Sequence, residues 1–102
     1  MPEQPVGLPN AREVQYWNSA ATRPWADQYE PIDRLFVDFT QAILDLAAPQ
    51  PEERVIDIGC GSGSTVLALA SRVGPSGYVL GADISKQSVE RARERIAAAG
   101  LR

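Results

Sequence analysis

The sequence predicts an α/β protein: the start of a doubly wound parallel sheet, two strands long, preceded by N-terminal helices. Three observations carry that prediction. Residues 54–58 (RVIDI) and 78–82 (YVLGA) are short apolar runs suited to buried parallel strands. Each run is followed by a stretch with helical apolar spacing, at 64–73 and beyond Ser85. Gly59, Gly61 and Gly63 cluster where the first strand turns into its helix. Strand, helix, strand, helix opens a right-handed doubly wound sheet.

The elements follow in order. Residues 1–9 (MPEQPVGLP) hold three prolines and a glycine and are expected to be a disordered leader. Residues 10–50 are expected to be a helical lead-in. Asn10 with Glu13 matches a capping box opening a helix over about 11–20. Thr22 ahead of Pro24 starts a second helical turn towards Tyr29. Pro31 opens a longer helix, about 32–47, on which Ile32, Leu35, Phe36, Phe39, Ile43 and Leu46 form one apolar stripe. Pro49-Gln50-Pro51 ends it, because the residue before a proline disfavours the helical basin.

After the first strand, Val66, Leu69, Ala70 and Val73 mark the inner side of a helix from Ser64 to Val73. Gly74-Pro75-Ser76-Gly77 is a turn into the second strand. Ser85 N-caps the last helix, with Val89, Ala92, Ile96 and Ala99 inward and Gly100 as its stop.

Composition narrows the function classes. A chain of 102 residues holds one small domain, and its 44% hydrophobic and 23% charged residues argue against disorder. No apolar run reaches the roughly 18 residues of a membrane helix, and no secretory signal opens the chain. Histidine is absent, which removes His bases and His-ligated metals. The single cysteine, Cys60, fits a cytoplasmic location. A net charge of −3 gives no footprint for nucleic acid or an anionic membrane. Arg91, Arg93 and Arg95 interleave with Glu90 and Glu94, so they read as a solvated helix face rather than a phosphate site.

The glycine run carries the chemistry. Glycines between a strand and a helix allow positive φ and close approach of a ligand, and the helix N-terminus favours an anionic group. A tight turn without ligand is the plain alternative, but three glycines at alternate positions exceed what a turn needs. The dinucleotide spacing G-x-G-x-x-G fails: counted from Gly59 its last position is Ser64, and from Gly61 it is Val66. The P-loop pattern fails too, because no lysine precedes Lys86. What remains is D-x-G-x-G-x-G, beginning at Asp57. Asp83 closes the second strand, where an acid can accept from both ribose hydroxyls of a nucleoside. The bland alternatives are a turn acid for Asp83 and a loop-capping carboxylate for Asp57.

The stretches VIDIGCGSGS and GYVLGADIS resemble the first two motifs of class I S-adenosylmethionine-dependent methyltransferases. Tyr16-Trp17-Asn18, Trp25, Asp33 and the Pro-x-Pro-x-Glu-Arg that follows the lead-in also resemble a bacterial subgroup of that family. The resemblance implies a Rossmann-like fold, with residues 51–102 as the first half of the cofactor-binding domain. It implies that Gly59, Gly61 and Gly63 line the methionine portion of S-adenosylmethionine. Asp57 would hold the amino group, Asp83 the ribose hydroxyls, and Ile84 the adenine face. Cys60, at a variable position of the motif, belongs to the same loop and reads as a small buried filler rather than a nucleophile. Tyr16, Trp17 and Trp25 are expected to anchor the first helices to the core, with a lid over the cofactor as the alternative.

The family's sheet has seven strands, and this sequence stops near where a third would begin. The expectation is therefore an incomplete domain: the front of a methyltransferase acting on a small-molecule acceptor, with catalytic residues beyond Arg102. The competing expectation is an inactive fragment that acts as an interaction module, self-associating through open sheet edges. An NAD-dependent oxidoreductase is disfavoured by the glycine spacing.

Overall fold

The computed structural model describes residues 7–101. Most of the expected leader, residues 1–6, lies outside the described residues. The elements are α1 (Ala11–Trp17), a 3-10 turn (Ala20–Thr22), α2 (Pro24–Asp27), α3 (Tyr29–Leu35), α4 (Val37–Ala47), β1 (Arg54–Ile58), α5 (Ser64–Val73), β2 (Tyr78–Ala82) and α6 (Lys86–Ala98). The strands are parallel and in register from Arg54 opposite Tyr78 to Ile58 opposite Ala82.

This second half matches the sequence prediction, since each element has a local cause. The β-branched run gives β1, and the inner faces of α5 (Val66, Leu69, Val73) and α6 (Ala92) are buried. The Ser85 hydroxyl accepts the Ser88 amide as the predicted cap. Ala99, predicted inward, is exposed at the C-terminal end of α6.

One face of the sheet is covered and the other is bare. Val55, Asp57, Val79 and Gly81 alternate onto the half-buried face beneath α5, whereas Ile56, Ile58, Tyr78 and Leu80 are exposed. Gly81 fits this packing closely. A Cβ there would lie 2.9 Å from both Cys60 Sγ and Val66 Cγ2, so the missing side chain admits the thiol and α5 onto the strand.

The lead-in departs from the prediction in three places. Asn10 makes no side-chain cap bond, and its backbone is not extended as an N-cap's would be; the Ala11 amide bonds to Leu8 O instead. The first helix ends at Trp17 rather than near residue 20, because Asn18 turns away to contact α6. The expected 32–47 helix is two helices broken at Phe36 (φ −103°, ψ 9°), the first starting at Tyr29.

The two halves answer to different anchors. Asp33 of α3 is paired with Arg95 of α6, while Leu44 of α4 is buried and Asp45 meets Arg72 of α5. The predicted stripe is consequently not a core face. Leu35, Phe39, Ile43 and Leu46 are exposed, Leu46 to 87%, and the buried residue of α4 is Leu44.

Candidate cofactor-binding site

The C-terminal ends of β1 and β2 lie side by side, and the chain leaves both in tight turns. After β1, Gly59, Gly61 and Gly63 take φ of +77°, +54° and +94°, a region that side chains with a Cβ rarely enter. The Gly59 and Cys60 amides both donate to Ala82 O, at 2.7 and 3.0 Å, which folds the loop back over the end of β2. After β2, Asp83 receives the loop. Its Oδ2 accepts the Gly61 amide at 2.9 Å and its Oδ1 accepts the Ser85 amide at 2.8 Å.

These turns form one wall of an open cleft of about 630 Å³, to which Ile58, Gly59, Gly61, Ala82, Asp83, Ile84, Ser85 and Ser88 contribute. The opposite wall is aromatic, from Trp17 and Trp25 of the lead-in. Trp17 is half exposed and meets Tyr16 edge to face, with ring centroids 5.2 Å apart. The expectation that Tyr16, Trp17 and Trp25 anchor the first helices to the core is corrected: all three are exposed, and Trp17 and Trp25 line the cleft, as the lid alternative has it. A Cβ on Gly59 or Gly61 would meet no protein atom, so both bare positions border open space.

The lead-in is latched in place by polar contacts. Asn18 Nδ2 donates to Ile84 O at 2.7 Å and Asn18 Oδ1 accepts the Lys86 amide at 2.8 Å. Gln87 Nε2 reaches Ser19 O at 3.0 Å, Thr22 Oγ1 at 3.1 Å and Trp17 O at 3.3 Å. Thr22 is correspondingly among the most buried residues, at 2% exposure. No local pattern marks Asn18 and Gln87 as partners, although Asn18 stands in the Tyr16-Trp17-Asn18 run.

Of the seven residues singled out in the sequence, Gly59, Gly61, Asp83 and Ile84 border the cleft. Asp57, Cys60 and Gly63 are not among the residues that line it. The Cys60 side chain points onto Gly81 on the α5 side of the sheet. Burial first, and then the nearby carboxylates of Asp83 and Asp57, push its thiol up from its ordinary pKa, so it is kept protonated. Gly63 faces α6, where a Cβ would come within 3.0 Å of Ala92 Cβ. Its bareness lets the last helix pack on the loop.

Asp57 Oδ2 is a buried oxygen with no hydrogen-bond partner among the described residues. Burial, then the neighbouring Asp83 carboxylate, raises the Asp57 pKa above the ordinary carboxylate value. Sequence reasoning missed Ser85 and Ser88 as cleft residues, since their capping geometry also brings them to the cleft.

The fold is a partial Rossmann-like α/β fold, with the candidate site at the C-terminal ends of its two strands. Residues 49–102 match the family model for a methyltransferase domain. The chain is 34% identical over 90 residues to aklanonic acid methyltransferase from Streptomyces sp. (strain C5), covering 84% of this chain and 41% of that protein. It is 38% identical over 66 residues to nocamycin O-methyltransferase from Saccharothrix syringae, covering 65% of this chain and 24% of that one. In fold it resembles the crystal structure of a SAM-dependent methyltransferase from Aquifex aeolicus. The TM-score is 0.59 at 21% identity, over 89% of this chain and 42% of that one. The chain belongs to the class I methyltransferase family. It spans less than half the length of these relatives.

Proposed function

We propose that the chain is the cofactor-binding front of an S-adenosylmethionine-dependent methyltransferase whose acceptor is a small molecule. The observation that carries this reading is Asp83, held by two backbone amides beside the left-handed glycines of the cleft. Each carboxylate oxygen accepts one amide and keeps a further acceptor site, which suits paired hydroxyls. The residues fit the cofactor's other parts as well. Gly59 and Gly61 leave backbone open to a close-lying chain, Asp57 offers an orphaned carboxylate to an ammonium group, and Ile84 offers an apolar surface to a base.

When bound, S-adenosylmethionine supplies an activated methyl group on a sulfonium. The chain's own contribution is positioning. Asp83 orients the ribose end, the glycine loop orients the aminoacyl end, and Trp17 and Trp25 exclude water from the opposite side and favour a cation by their π-faces. A small acceptor is supported by the names of the two relatives, which give aklanonic acid and nocamycin, and the net charge of −3 disfavours nucleic acid. Among the described residues no helix is long and apolar enough to cross a membrane, and the lone cysteine supports a cytoplasmic setting.

The test is binding of S-adenosylmethionine, S-adenosylhomocysteine and NAD to the 102-residue chain, by calorimetry and tryptophan emission. Both tryptophans line the cleft, so a ligand seated there changes their fluorescence. The first two compounds should bind and NAD should not. Binding of NAD alone would overturn the reading.

A further inference from the structure

Behind the glycine loop, away from the cleft, three distant parts of the chain meet at one guanidinium. Arg95 of α6 donates from Nη1 to Ser62 O at 2.9 Å and to Ser64 Oγ at 3.1 Å. Its Nη2 donates to Asp33 Oδ2 of α3 at 2.7 Å. The Ser64 hydroxyl donates to the other oxygen of Asp33. The guanidinium also lies 4.2 Å from the centroid of the Tyr29 ring. With a side chain only 15% exposed, Arg95 does not belong to the solvated face that the alternating charges suggested.

Few arrangements fix a loop so fully. Ser62 sits between the two glycines Gly61 and Gly63, which supply no side chains of their own to hold it. Asp83 ties the loop from the cleft side through the Gly61 amide, and Arg95 ties it from behind through the Ser62 carbonyl. A guanidinium suits this position because its planar fork serves a carbonyl, a hydroxyl and a carboxylate at once, and its face stacks on Tyr29. Asp33 keeps the half-buried charge paired and joins the loop to the lead-in that carries Trp17 and Trp25.

We infer that Arg95 and Asp33 are a positioning pair that sets the glycine loop for the aminoacyl end of the cofactor and registers it against the aromatic wall. The inference rests on the cofactor reading above. Neither residue borders the cleft, so the effect is exerted through the loop.

The test compares two ligands and one ligand-free measurement in Arg95→Met and Asp33→Asn. S-adenosylhomocysteine carries the aminoacyl chain, whereas methylthioadenosine lacks it. Both variants should lose at least about tenfold in affinity for the former while keeping the latter, as expected for loss of charge-assisted hydrogen bonds. In the free chain, amide exchange should quicken at residues 60–64 while β1 and β2 keep their protection. Parallel loss of both ligands, or unchanged exchange in the loop, overturns the proposal. If the unaltered chain binds neither ligand, the cofactor reading fails, and the exchange measurement alone decides whether the pair fixes the loop.

Discussion

Asp83 and Gly61 are joined across the ends of the two strands by a 2.9 Å hydrogen bond from the glycine amide to the carboxylate. The bond fixes the loop after β1 relative to the turn after β2, so one carboxylate both shapes the cleft and lines it. Removing it therefore acts twice. Asp83→Ala should cost on the order of 1.5–3 kcal/mol in S-adenosylhomocysteine affinity, measured by calorimetry, and should also lower the melting temperature. Gly61→Val should do more damage. It forces a β-branched residue to φ +54° and fills the space that its bare Cα borders.

Gly81 and Cys60 give a packing prediction independent of any ligand. Gly81→Ala should destabilise the chain by about 1–3 kcal/mol, because its new methyl meets Cys60 Sγ and Val66 Cγ2 at 2.9 Å. Adding Cys60→Ala should recover part of that loss in a denaturant melt, since the sulfur is gone while Cys60 Cβ at 3.1 Å and Val66 Cγ2 at 2.9 Å stay. Full additivity of the two costs would show that they do not share the space.

Asp57 predicts a pH dependence of definite sign. Its folded pKa is raised, so between the ordinary carboxylate value and the raised one the folded chain holds more protons than the unfolded chain. Ionising Asp57 as pH rises through the folded pKa therefore costs stability. Asp57→Asn should be more stable than the parent at neutral pH, and that gain should vanish as pH falls below the usual carboxylate range of about 3.9. The same variant should bind S-adenosylhomocysteine more weakly, having lost the charge offered to the ammonium group.

The lead-in latch is testable through the tryptophans. Asn18→Ala removes a donor to Ile84 O and the acceptor of the Lys86 amide, and Gln87→Ala removes one donor to each of Trp17 O, Ser19 O and Thr22 Oγ1. Each should cost about 0.5–1.5 kcal/mol. The tryptophan emission should shift to the red at lower denaturant than the loss of helical circular dichroism, as the aromatic wall leaves the cleft first.

Sequence reading succeeded where the cause is local. The strand at 54–58, the helix at 64–73 and the cap at Ser85 are written in neighbouring residues, and the structure has them at those positions. The lead-in was harder. Its stripe from Ile32 to Leu46 announces apolar spacing but not which residue meets the rest of the chain, and the break at Phe36 comes from two anchors on different helices. Arg95 reads as solvated because its neighbours in sequence are charged, whereas its hydrogen-bond partners are 31 to 62 positions away. For Trp17 and Trp25 the sequence leaves core anchor and lid both open, because nothing beside them in sequence decides between the core and the cleft they line.

The latch between Trp17 O and Gln87 spans 70 positions, which gives the cleft a history as well as a shape. At a synthesis rate of roughly 5–20 residues per second, Gln87 is added about 4–14 s after Trp17. Throughout that interval the two indoles and the first helices have been made but the side chain that fastens them has not. The aromatic wall is thus made seconds before the side chain that secures it, and over that interval its indoles stand open on the nascent chain.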